Sequence, residues 1–68
     1  MDTNELLYKA LESKYKSQID EAKATLSIYF NNSVGIGEHP QHLEEMDKLV
    51  SQMAEAIDKL ETLETLKN

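Results

Sequence analysis

The chain has 68 residues, no cysteine and no arginine, and thirteen acidic residues against seven lysines give it a net charge of −6. This length predicts one small domain over residues 1–68, and the lack of cysteine excludes disulfides, thiolate metal sites and thiol catalysis. An acidic chain without arginine is also a poor match for nucleic acid, because it repels phosphates and lacks the bidentate donors that read bases.

The sequence does not predict a membrane-spanning or secretory segment. No apolar run approaches the roughly 18–20 residues that cross a bilayer. The N-terminal MDTNELL lacks the basic and apolar regions of a signal peptide. We therefore expect a cytoplasmic protein with no membrane partner.

The first predicted helix covers residues 3–31. Asp2 and Glu5 have the spacing of a capping box, in which the first side chain accepts a backbone N–H at the start of a helix. Neither glycine nor proline interrupts the chain from there to Asn31. Apolar residues recur at helical spacing and form one stripe: Leu7, Leu11, Tyr15, Ile19, Ala22, Leu26 and Tyr29. The opposite face, which we expect to be solvated, carries Lys9, Glu12, Lys16, Asp20 and Lys23.

Residues 32–39 are predicted to connect the two helices. Gly35 and Gly37 permit positive φ, and Pro40 suits the first position of a following helix. The β-branched residues Val34 and Ile36 are unexpected in a loop. Two interpretations are open: they cover the end of the helical core, or they contact a partner. The candidate contact residues of this region are Val34, Ile36, His39 and His42.

The same region invites a phosphate or metal interpretation. The spacing of Gly35 and Gly37 fits neither the dinucleotide-binding nor the P-loop fingerprint, and no lysine follows the second glycine. His39 and His42 are three residues apart, so two imidazoles and a nearby carboxylate could converge on a metal ion. Surface histidines near a turn are more often solvated, and the sequence predicts neither a metal site nor a cofactor.

The second predicted helix covers residues 40–66. Six apolar residues follow one another there at alternating steps of three and four, the pattern of a packed helical seam: Leu43, Met46, Val50, Met53, Ile57 and Leu60. Four more apolar residues widen this stripe: Leu49, Ala54, Ala56 and Leu63. The wider stripe is typical of a bundle with more than two helices.

Two helices of about 40 Å each, joined by a short connection, fold back on each other. The predicted fold is therefore all-α, an antiparallel two-helix hairpin. A lone hairpin leaves much of its apolar surface in water, so we expect a homodimer that closes a four-helix bundle. In that bundle Leu11, Ile19 and Leu26 join the six seam residues of the second helix. A longer bundle and a heteromeric partner are the alternatives.

Part of the sequence resembles a known family. The run NSVGIGEHP at residues 32–40, followed by MAEAIDKLE at residues 53–61, resembles short helical-hairpin proteins encoded by large tailed phages of marine bacteria. Members of that family carry an NPVGIGEH connection and a following helix that ends near AEAEDKLE. Over residues 31–61 this chain departs from the pattern at Ser33, where the family has proline, and at Ile57, where it has glutamate. The resemblance implies a viral, non-catalytic helical protein of the host cytoplasm or the virion, and it implies no residue roles.

Two classes of function follow, and neither is enzymatic. The sequence supports no arrangement of serine, histidine and acid, and a two-helix chain lacks an enclosing pocket. The first class is a self-associating structural or protein-interaction module. The second is an acidic inhibitor or adaptor that binds a basic host protein through the charged face of the second helix: Glu44, Glu45, Asp47, Glu55, Asp58 and Glu61.

Overall fold

The computed structural model describes residues 2–31 and 40–67. Two helices, α1 (Thr3–Asn31) and α2 (Pro40–Thr65), make up nearly all of this range, which contains no strand. The predicted all-α fold with two helices is confirmed. The loop residues Val34, Ile36 and His39 lie outside the described part of the chain.

Local interactions explain where the helices start and stop. Asp2 Oδ1 accepts a hydrogen bond of 2.8 Å from the backbone N–H of Glu5, which satisfies one of the donors left over at the start of α1. α2 begins at Pro40, whose fixed φ suits a first helical turn. At the end of α2, Leu66 and Lys67 donate backbone hydrogen bonds of 3.0 and 3.2 Å to carbonyls three residues earlier, so the last turn is tightened.

α1 and α2 lie side by side and antiparallel. At one end of the hairpin, Lys67 Nζ lies 5.8 Å from the centre of the Tyr8 ring. At the other end, the ring centres of Tyr29 and His42 are 5.4 Å apart. The Cα atoms extend over 52 × 17 × 13 Å. The hairpin is therefore a long, flat rod that is two helices wide and one helix deep.

Two contacts near the middle of the rod fix the register of the helices. Lys59 Nζ lies 5.9 Å from the centre of the Tyr15 ring. Gln52 Nε2 donates a hydrogen bond of 3.4 Å to the backbone oxygen of Gln18. Along the whole hairpin, residues later in α1 thus contact residues earlier in α2.

The core between the helices is narrow. Ala22 and Ala56 are 0% and 1% exposed, and such small side chains allow two helix backbones to approach closely. Leu26 and Leu63 complete the buried set within the described residues. On α2, the side chains that are turned toward α1 are buried or half-buried and form what we call the hairpin seam: His42, Met46, Leu49, Met53, Ala56, Leu60 and Leu63.

The apolar stripe of α1 is covered unevenly. Tyr15, Ile19 and Tyr29 are half-buried, whereas Leu7 is 60% exposed near the start of the helix. Glu12, expected on the solvated face, is half-buried. The reason is that Glu12 follows Tyr8 by four residues and so lies on the same side of α1.

Candidate interaction surface

One apolar stripe of α2 is not covered by α1. Leu43, Val50 and Ile57 are 61%, 52% and 38% exposed, and they recur every seven residues along the helix. Together with half-buried neighbours they form what we call the outer seam: Leu43, Met46, Val50, Met53, Ile57 and Leu60.

α2 therefore carries two overlapping seams, because Met46, Met53 and Leu60 belong to both. A residue four positions after Met46 lies about 40° to one side of it, and a residue three positions after it lies about 60° to the other side. Val50 is on the first side and Leu49 on the second. The apolar stripe is thus wide enough to pack against α1 and against one further helix.

The outer seam lies on one long face of the hairpin. On the opposite face, α2 reaches α1 through Gln52 and Lys59, beside a shallow depression of about 210 Å³ that is lined in part by Leu11 and Leu66. Val50 is two positions before Gln52, and residues two apart on a helix point in nearly opposite directions. The outer seam therefore faces away from these contacts.

A row of lysines borders the outer seam on the α1 side. Half-buried Gln18 lies toward the opposite face, where its backbone oxygen accepts a hydrogen bond from Gln52 Nε2. Residues two apart on a helix point in nearly opposite directions, so Lys16, two positions before Gln18, lies on the face of the outer seam. Residues seven apart share a face, so Lys9 and Lys23 lie there too. Three exposed lysines occupy this row: Lys9, Lys16 and Lys23.

Acidic residues border the outer seam on its other side. Asp47 and Glu61 are exposed there, with exposed Ala54 midway between them. The two lysines of α2 lie elsewhere, in ion pairs of 3.7 and 3.2 Å with Glu45 and Glu55. The surface thus has an apolar centre, an acidic margin on α2 and a row of lysines on α1, in which Lys16 Nζ lies 3.9 Å from a carboxylate oxygen of Glu12.

The three α1 residues predicted to join the bundle seam occupy different positions. Leu26 is 8% exposed and belongs to the contact between the two helices. Ile19 is half-buried at the same contact. Leu11, 40% exposed, lies on the face opposite the outer seam, where it lines the depression.

His42 is part of the hairpin seam. Its half-buried ring packs against Tyr29 with an angle of 58° between the ring planes. Within the described residues, no three histidine, aspartate or glutamate side chains are grouped so that they could hold a metal ion. The partner residue in the metal interpretation, His39, is outside the described range.

A second depression, of about 560 Å³, lies where the start of α1 meets the end of α2. Glu5, Glu12, Lys9 and Lys67 contribute to its lining together with the Tyr8 ring. Charges of both signs face open solvent there, and the lining contains neither serine nor histidine.

Sequence reasoning missed the hairpin seam as a separate feature. The signal for it was present, because His42, Leu49, Ala56 and Leu63 recur every seven residues. A histidine at the first position and an alanine at the third made this repeat look weaker than the row of Leu43, Val50 and Ile57.

Within the described residues, neither helix is both long enough and apolar enough to span a bilayer.

Comparison with known proteins adds no relative to this description. Comparisons of the chain with protein-family models, with curated proteins and with solved structures returned no match.

Proposed function

We propose that this protein is a non-catalytic, self-associating helical module with a structural or protein-interaction role, and that two copies close a four-helix bundle. The observation that carries the proposal is the exposed row Leu43, Val50 and Ile57 beside the covered hairpin seam. A helix with two adjacent apolar seams is typical of a bundle in which each helix contacts two others.

The resemblance to phage hairpin proteins gives this module a context. A short hairpin that self-associates would serve as an assembly element, either in the host cytoplasm or in the virion. The described residues offer the outer seam for this purpose, and the predicted loop contacts Val34, Ile36 and His39 lie outside them.

The molecular mass in solution tests the proposal. We expect sedimentation equilibrium and native mass spectrometry to give twice 7.8 kDa at micromolar concentration, and the melting temperature to rise with protein concentration. A 7.8 kDa monomer that melts cooperatively at a temperature independent of concentration would contradict the proposal.

A second candidate function rests on the uneven charge of the two helices. α2 carries seven acidic residues and two lysines, whereas α1 carries four of each. The acidic margin with Asp47 and Glu61 would suit an inhibitor or adaptor that binds a basic host protein.

Ionic strength separates the two candidates, because the charges act in opposite directions. Two copies of a chain with a net charge of −6 repel each other, so added salt should strengthen self-association. Binding to a basic partner should instead weaken steeply with salt. We expect the dimer dissociation constant to fall between low and moderate salt in sedimentation experiments. Association with a basic partner that weakens steeply over the same salt range would favour the acidic-inhibitor function.

A further inference from the structure

We infer that Met46 and Met53 make the hairpin a reversible oxidation switch: a peroxide that converts both thioethers to sulfoxides destabilises the fold, and reduction restores it. The two methionines lie seven residues apart on one row of α2 and belong to the hairpin seam. The inference goes beyond the proposed self-association, because it concerns the contact between α1 and α2.

Composition and burial make these two side chains targets of an oxidant. The chain has neither cysteine nor tryptophan, and it has three methionines, so thioethers are its most readily oxidised groups. Met46 and Met53 are half-buried in the hairpin, beside Val50, which is 52% exposed. A small oxidant such as hydrogen peroxide therefore reaches both residues without prior unfolding of the helices.

The reaction is an oxygen-atom transfer that balances with hydrogen peroxide alone. A lone pair of the methionine sulfur attacks one peroxide oxygen, the O–O bond breaks, and a proton passes to the departing oxygen, which leaves as water. The sulfur is oxidised by two electrons and the peroxide is reduced by two. Methionine sulfoxide reductases reverse the step with electrons from a dithiol, which makes the change reversible.

A sulfoxide is poorly matched to the contact between the helices. Its oxygen is a polar acceptor, and taking such a group out of water without a hydrogen-bond donor is unfavourable. Within the described residues, the fully covered side chains at this contact belong to two alanines and two leucines, none of which has a donor. Two of the seven side chains that form the hairpin seam are methionines. Oxidation of both therefore weakens a contact whose buried core is already small.

Peroxide treatment followed by mass spectrometry and thermal melting tests this inference. Peptide mapping counts the oxygen atoms added at each methionine, and circular dichroism follows melting before oxidation, after oxidation, and after treatment with methionine sulfoxide reductases and dithiothreitol. The chain has no cysteine, so the thiol reductant breaks no disulfide. We expect oxidation of Met46 and Met53 to lower the melting temperature by at least about 10 °C, and reduction to restore it.

Met46→Leu combined with Met53→Leu is the matched control, because exchange of leucine and methionine conserves volume and is well tolerated in cores. In this double variant Met1 is the only methionine, and we expect peroxide to leave the melting temperature unchanged. Adding Ile28→Met to the double variant places a thioether where the native side chain is 67% exposed. Oxidation of that thioether should also leave the melting temperature unchanged.

Three results would overturn the inference. The first is a natural chain that melts as before although both Met46 and Met53 are oxidised. The second is peroxide treatment that oxidises Met1 and spares the other two. The third is an equal loss of stability in the oxidised double variant, since the damage would then lie elsewhere.

Sedimentation of the unoxidised protein tests the proposed self-association separately. A monomer whose melting temperature still falls on oxidation of Met46 and Met53 would contradict the proposed function and support this inference. A dimer whose melting temperature is unaffected by that oxidation would do the reverse. The two failures are therefore distinguishable.

Discussion

Val50→Asp is expected to abolish self-association and, at low micromolar concentration, most of the helical signal. Val50 is 52% exposed in the hairpin, so the hairpin itself can accommodate a carboxylate there. In the dimer the carboxylate would be buried without a partner, which costs several kcal/mol. We therefore expect the dimer dissociation constant to rise at least about 100-fold.

The helical signal should be lost with the dimer, because the lone hairpin buries only two alanines and two leucines within the described residues, and so small a core does not offset the chain entropy lost on folding. Ser51→Asp is the matched control: it adds the same charge to the same helix one residue away, on an exposed position outside both seams. We expect Ser51→Asp to sediment as the unchanged protein does. Circular dichroism that finds Val50→Asp fully helical at low micromolar concentration, or sedimentation that finds it dimeric, would contradict the assignment of the outer seam.

Leu26→Ala is expected to unfold most of the protein for a different reason. Leu26 is 8% exposed and lies in the contact between α1 and α2, where truncation of a leucine leaves a cavity and costs about 3 kcal/mol. That cost approaches the whole stability of so small a core. Thermal melting followed by circular dichroism should therefore find the variant largely unfolded near room temperature.

Ile28→Ala is the control for Leu26→Ala. It removes a comparable apolar side chain two positions away, where the side chain is 67% exposed. We expect a change in unfolding free energy within about 0.5 kcal/mol. If both variants melt alike, Leu26 does not lie between the helices, and the observed register of the hairpin would be wrong.

The helices themselves could be predicted from local signals. Asp2 with Glu5 marks the start of α1, and Pro40 suits the first turn of α2. No glycine or proline interrupts either helix. Periodic apolar residues then indicate helix over the whole of both segments. These signals depend on neighbours in the sequence, which is why they were sufficient.

The assignment of side chains to partners could not be predicted in the same way. The stripe of α2 is wide enough for two contacts, and the rotation of α2 about its own axis decides which half faces α1. Ala56, with its small side chain, turns that half toward α1, and Val50 and Ile57 are left on the outside. Sequence periodicity identifies the apolar stripe of α2 but does not determine this rotation, because the covered half and the exposed half of the stripe both repeat every seven residues.

The partial burial of three polar residues, Gln18, His42 and Gln52, was also beyond the sequence pattern. Gln18 and Gln52 meet across the two helices, and His42 packs on Tyr29. Each of these contacts depends on the register of one helix against the other, which is a long-range property. A polar residue at a covered position is therefore read from sequence as solvated.

In the proposed dimer, three side chains shared by both seams would link turnover of this protein to its abundance. Met46, Met53 and Leu60 would support both the fold of one subunit and its contact with the next, so a subunit that dissociates would lose support on both sides. Mass action then makes the unfolded fraction grow as the protein becomes scarce, and cellular proteases remove unfolded chains. Material made in quantity should persist, whereas the same polypeptide at a few copies per cell should be degraded quickly.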